Sequence, residues 1–145
     1  MADQTESSTT VDAAPARVMA VIEDFAAYPE WAGEVRSADV TEVGNDGRPA
    51  EVRFVMDAGV IKDEYTLRYV WSGTDRVTWS LVEGKVLTEL DGSYDLAATP
   101  EGGGTQVTYR LSVGIALPML GMMRRRAERV IIDRALAGLK KRAEG

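Results

Sequence analysis

Between Val35 and Ile115 the chain alternates apolar and polar residues through six consecutive segments, and no gap between them is long enough to hold a helix. The segments run over Val35–Val43, Ala50–Asp57, Lys62–Ser72, Arg76–Val82, Leu87–Leu96 and Thr105–Ile115. Turn formers separate most of them: Gly44 to Gly47, Gly73 to Asp75, Glu83 and Gly84, and Pro100 to Gly104. Parallel neighbours need a crossover of about a dozen residues, so these short connections dictate an antiparallel meander. Period two puts Val52, Phe54 and Met56 on one face, with Tyr65, Leu67, Tyr69 and Trp71, then Val77, Trp79 and Leu81, then Val107, Tyr109, Leu111 and Val113. The other face carries Glu51, Arg53, Arg68, Thr78, Ser80, Gln106, Thr108, Arg110 and Ser112, which makes one side of the sheet wet.

The flanks supply what covers the dry side. Thr5–Val11 reads as a strand, and Asp12 as an N-cap or near-cap of a helix whose first turn holds Pro15. Val18, Val21, Ile22 and Phe25 recur at helical spacing, and Pro29 is expected to break that helix and begin a second short one over Tyr28 to Trp31. From Pro118 to Ala143 the pattern is helical again, with Met119, Met123, Ala127, Val130 and Ile131 as one apolar stripe, extended by Ile132, Ala135, Leu136 and Leu139. A chain of 145 residues supports one core, so residues 1–145 are expected to form a single α+β domain of about seven strands, two short helices and one long helix.

Absence of histidine and cysteine removes the commonest general base, the thiolate nucleophile and the usual soft metal ligands. No metal and no cofactor are expected. A net charge of -6 argues against DNA as a partner, since phosphate binding needs clustered Lys and Arg. The charge is uneven, however: Pro118 to Gly145 holds eight Lys and Arg against three Asp and Glu. A basic helix complementing an acidic sheet accounts for this, with Arg124 and Glu128, and Arg129 and Asp133, in reach at i, i+4. The alternative reading of Arg124, Arg125 and Arg126 is recognition of an anionic head group or transient contact with an acidic membrane. The start of the chain lacks the basic and apolar regions of a signal peptide, and Val113 to Met123 is too short to span a bilayer, so the expected compartment is the cytoplasm.

Two stretches carry a resemblance. "VDAAPARVMAVIEDFAAYPEWAGEVRSADV" (Val11 to Val40), with Pro15 and then Tyr28, Pro29 and Trp31, resembles the opening of polyketide cyclase/dehydrase and coenzyme-Q-binding members of the START-like, or SRPBCC, superfamily. "LPMLGMMRRRAERVIIDRALAGLKKRAEG" (Leu117 to Gly145) is similar to the last helix of small actinobacterial cyclase/dehydrase-like proteins. The resemblance spans the whole chain and implies the helix-grip (Bet v 1-like) fold, a curved antiparallel sheet wrapped around the long helix and enclosing a cavity. It leaves the ligand open, because what such domains share is the cavity.

The expected ligand-binding set is Phe54, Met56, Tyr65, Leu67, Tyr69, Trp79, Leu81, Leu90 and Tyr109 from the sheet, with Met119, Met122 and Met123 from the helix. Each residue also suits an ordinary core, but together they fit an apolar pocket with a few phenolic groups to fix an oxygen-bearing guest. The apolar turn Ala58, Gly59, Val60 and Ile61, facing Leu117 and Gly121, is expected to form the cavity mouth. Catalytic residues are not assignable: Glu23, Asp24, Asp57, Glu64, Glu89 and Asp91 form no evident pair, and period two turns Arg68 to the wet face although its neighbour Tyr69 faces inward. Three functions stay open. The first is binding or carriage of a hydrophobic molecule of polyketide, quinone, fatty acyl or isoprenoid type, by a monomer or weak dimer. The second is a cyclase or dehydratase using the same cavity, which an acid or Arg pointing inward would favour. The third is a ribosome-associated interaction module.

Overall fold

The computed structural model describes residues 4–57, 62–116 and 121–145. A first strand, β1 (Thr5–Val11), is followed after the helices by β2 (Val35–Val43), β3 (Pro49–Asp57), β4 (Lys62–Ser72), β5 (Arg76–Gly84), β6 (Leu87–Ala98) and β7 (Thr105–Ile115). All neighbours are antiparallel, in the order β1-β7-β6-β5-β4-β3-β2, so the meander is closed at one edge by the first strand. The alternation is realised as expected: Val52, Phe54, Tyr65, Leu67, Val77, Trp79, Val107, Tyr109, Leu111 and Val113 are all buried on one face. Arg68, on the other face, pairs with Glu51 in the open. Ser112 departs from the pattern and is buried.

Helix α1 (Pro15–Glu23) starts with Pro15 in its first turn, but its cap is Ala14 in extended conformation, with no side-chain hydrogen bond. Asp12 does not cap it; its backbone N–H instead donates to Glu144 at 2.8 Å. The helix also ends earlier than Pro29 requires. Asp24 leaves helical geometry (φ -86°, ψ 75°), a single 3₁₀ turn covers Phe25–Ala27, and α2 (Tyr28–Trp31) takes Pro29 into its own first turn, where a missing N–H costs nothing. This break lets Phe25 and Tyr28 both turn inward.

The long helix α3 (Gly121–Glu144) lies on β1, β7, α1 and α2. Its buried row is Glu128, Ile132, Leu136, Leu139 and Ala143, spaced by four, four, three and four. That row fixes the rotation of the helix, so Met123 and Val130 of the expected stripe are turned to solvent. Glu128, expected beside Arg124, is fully buried: its carboxylate accepts the Thr5 hydroxyl at 2.5 Å and the Val113 N–H at 2.7 Å, fastening α3 to β1 and β7. Two arginines of the second half of α3 find acids around α2 rather than on the sheet, Arg134 with Glu34 and Arg142 with Glu30, both at 2.9 Å, while Lys140 pairs with Glu144 of its own helix. Among the described residues no helix is long and apolar enough to cross a membrane.

Candidate functional site: an aromatic interior with open phenols

The chain has five tyrosines and two phenylalanines, and all seven are buried. Strands β3, β4, β6 and β7 and the junction of α1 with α2 bring them together. Phe54 on β3 stacks on Tyr65 of β4 at 5.3 Å between ring centres, Phe25 meets Tyr69 at 4.9 Å, and Tyr69 meets Trp79 at 5.9 Å. Trp79 stands edge-on to Tyr109 of β7 at 5.5 Å, and Tyr109 to Tyr94 of β6 at 4.6 Å. Tyr28 and Trp31 of α2 join from the other side, 4.7 Å apart. Each such pair adds about 0.5–1.5 kcal/mol beyond its buried area, so the web holds the middle of the sheet in one arrangement. Room for the Trp79 indole comes from Gly92 opposite it on β6: a Cβ there would sit 2.6 Å from the ring and from the Arg110 carbonyl oxygen.

Helices approach this sheet mainly at its flanks. The backbone of α3 runs beside β1 and β7, and α2 with the preceding 3₁₀ turn beside β2. Over β3, β4 and β5 the long aromatic side chains do the covering.

The hydroxyl groups show what this interior offers a guest. Tyr28 donates to the Ile22 carbonyl at 2.5 Å. The rings of Tyr65, Tyr69, Tyr94 and Tyr109 are buried, and among the described residues no hydrogen bond within the protein holds their hydroxyls; the one fully enclosed side-chain polar atom without a partner among those residues is Trp31 Nε1. Burial is the largest cause raising the pKa of all five, and the phenols raise one another in addition: Tyr69 feels Tyr28, Tyr65, Tyr109 and Tyr94, and Tyr109 feels Tyr94 and Tyr65. The groups therefore converge, and at neutral pH they are uncharged donors and acceptors rather than bases. Nearby carboxylates raise some of them further: Asp63 and then Glu34 act on Tyr65, Glu34 on Tyr109 and Asp24 on Tyr28, with Glu34 itself paired to Arg134.

Of the expected ligand-binding residues, Phe54, Met56, Tyr65, Leu67, Tyr69, Trp79, Leu90 and Tyr109 are buried on the interior face, and Leu81 is half-buried. Met122 and Met123 are not brought there; they are 71% and 57% exposed. Gly121 begins α3 and is exposed. Met119, Ala58, Gly59, Val60, Ile61 and Leu117 lie outside the described residues, and with them the expected cavity mouth. Tyr28 and Tyr94 belong to the interior without being among the expected residues, and half-buried Glu34 lies at its border, paired with Arg134. Tyr94 was within reach of the same rule, because steps of two from Leu90 pass Gly92 and arrive at it. Glu34 carried no local signal; only the fold sets it against Arg134.

A surface groove of about 720 Å³ lies elsewhere, where α1 and α2 meet the last turns of α3, with Arg17, Asp24, Glu30, Lys141 and Arg142 on its walls. It touches the core through Val21, Ala27 and Trp31, of which Trp31 alone belongs to the aromatic set. Among the described residues no three Asp or Glu cluster as a metal ion would require.

A seven-stranded sheet gripping one long helix over an aromatic interior defines a START-like, helix-grip domain. Within that class the chain belongs to the polyketide cyclase/dehydrase and lipid transport family, whose model matches residues 2–144. Its backbone is similar to a START superfamily protein from Mycobacterium smegmatis (TM-score 0.90, 19% identity, 99% of this chain and 98% of that one). It is also similar to a Thermus thermophilus protein (0.78, 22%, 97% and 96%) and to the Zhui aromatase/cyclase from a Streptomyces species (0.75, 16%, 97% and 93%). No curated protein matches the chain by sequence.

Proposed function

We propose that this domain binds a hydrophobic small molecule carrying hydroxyl or carbonyl oxygens, in a cavity between the aromatic face of the sheet and α3. The observation that carries the reading is the set of four buried phenols with open hydrogen-bonding capacity. A hydrogen bond contributes about 0.5–1.5 kcal/mol net, so a guest whose oxygens pair with these hydroxyls gains affinity at each one it engages. Aromatic walls suit a flat or polyunsaturated guest, and neutral phenols suit its oxygens, which favours a quinone or aromatic polyketide over a saturated acyl chain. The family's description, which joins polyketide cyclisation with lipid transport, supports the same ligand class. Native mass spectrometry of purified protein, with extraction of any bound compound, tests the reading directly. So does titration with a 1,4-naphthoquinone followed by quenching of Trp79 and Trp71 fluorescence; no quenching and no co-purified compound would overturn it.

A second reading has one observation in its favour. Glu34, half-buried and paired with Arg134 at 2.9 Å, is a carboxylate near enough to raise Tyr65 and Tyr109, and a cyclase or dehydratase needs an acid beside its cavity. If the domain is an enzyme, Glu34→Gln abolishes turnover of a poly-β-keto substrate while leaving naphthoquinone binding within about twofold. Turnover unaffected by this change would remove Glu34 from any chemistry.

A further inference from the structure

The first turns of α3 carry a surface that the interior does not use. Three of the large apolar side chains left in solvent, Met122, Met123 and Val130, fall within nine residues of that helix. Interleaved with them are Arg124, Arg125, Arg126 and Arg129, none of which meets a carboxylate among the described residues. The two acids expected to neutralise them are otherwise placed: Glu128 is buried on Thr5 and Val113, and Asp133 makes no ion pair with Arg129. Met123, Arg126 and Val130, spaced i, i+3 and i+7, lie opposite the row from Glu128 to Leu139 that faces the sheet. Three of these charges, Arg124, Arg125 and Arg126, also lie near the N-terminal end of the helix, where the dipole favours negative rather than positive groups.

From this surface we propose that residues 122–130 dock the domain on an anionic lipid bilayer, with Met122, Met123 and Val130 entering the interface and the arginines meeting lipid phosphates. The charge match fixes the sign of the partner, and the apolar side chains fix its kind. A nucleic acid offers phosphates but nothing for two methionines and a valine at the same level, whereas a bilayer surface takes both. A protein partner would be expected to find aromatic anchors or a recess here; the surface offers neither.

Co-sedimentation of the full chain with vesicles tests this. Binding is expected to vesicles of phosphatidylcholine with about 30% phosphatidylglycerol, to be absent with phosphatidylcholine alone, and to fall steeply between about 0.05 and 0.5 M NaCl, as for other surface charge attractions. At about fivefold per arginine lost, R126A/R129A lowers the partition coefficient by about 25-fold. Met123→Trp, on a surface position that tolerates it, gives an emission that shifts to the blue on adding the anionic vesicles. No binding of the unaltered chain, or equal binding to both vesicle types, overturns the proposal. Anionic binding without a blue shift at position 123 overturns it as well, because the apolar residues then play no part and an acidic protein surface is the better partner. None of these readouts depends on what fills the interior, so they stand or fall separately from the ligand reading.

Discussion

Raising the pH interrogates the aromatic interior with no mutation at all. All five tyrosines have pKa values raised by burial, so between the unfolded value of about 10 and the folded value the native state holds protons that the unfolded state has lost. Stability is therefore intact below about pH 10 and falls as pH rises beyond it, by about 1.4 kcal/mol per tyrosine per pH unit. With five tyrosines the loss is about 7 kcal/mol at about pH 11, against a total of about 5–15 kcal/mol for a domain of ordinary stability. The expected outcome is one cooperative transition near pH 11 to 12, in which tyrosinate absorbance at about 295 nm appears together with the loss of far-ultraviolet circular dichroism. A bound guest moves that transition to higher pH. Gradual ionisation of several tyrosines near pH 10, with the circular dichroism unchanged, would show that the phenols reach solvent and would refute the buried interior.

Four substitutions extend the test. Glu128→Ala strands the buried Val113 N–H and the Thr5 hydroxyl, and urea unfolding should show a loss of about 3 kcal/mol; a change under about 0.5 kcal/mol would mean that α3 is not fastened there. Asp63 accepts the backbone N–H groups of Lys85, Val86 and Leu87 at 2.9 to 3.1 Å, so Asp63→Ala should speed amide exchange in the β5–β6 turn selectively, and uniform exchange would contradict that role. Gly92→Ala drives a methyl group into the Trp79 ring, and should both shift tryptophan emission and weaken naphthoquinone binding; unaltered emission would mean the indole has slack. Tyr109→Phe removes one open hydroxyl while keeping the ring, and should lower affinity for a hydroxylated naphthoquinone by about three- to tenfold with stability unchanged, an effect that calorimetry resolves.

What could be read in advance followed the range of the interactions. Strand existence, antiparallel order and the inward face depend on period two and on short turns, and both are local, so Phe54, Tyr65, Tyr69, Trp79 and Tyr109 were identifiable from their own neighbours. The helix break was harder. Pro29 has the chemistry of a breaker, yet the chain leaves helical geometry at Asp24, and a proline that fits a first turn ends nothing. The buried face of α3 is not decided by its apolar stripe, because methionine and valine satisfy such a stripe as well as isoleucine and leucine do. What decided the rotation was a glutamate whose partners lie 15 and 123 residues away, and no pattern within the helix announces that. Glu34 was hidden for the same reason, its relation to Tyr65 and Tyr109 being created only when β2, β4, β7 and α3 are in place.

The position of β1 sets an order of events in time. Its residues pair with β7 across separations of roughly one hundred positions, Thr5 with Leu111 and Val11 with Thr105, while every other neighbouring pair of strands is joined by a short turn. Closing so long a loop has to precede any gain from the contact, which makes this pairing the slow one. The meander from β2 to β7 can zip from its hairpins, but β1, which precedes them in the chain, must wait for β7. It is secured only once α3 has brought Glu128 to Thr5 and the Lys140 ammonium to the Thr10 carbonyl. Until β1 is in place, β7 presents an unpaired edge, the kind of edge on which strands associate.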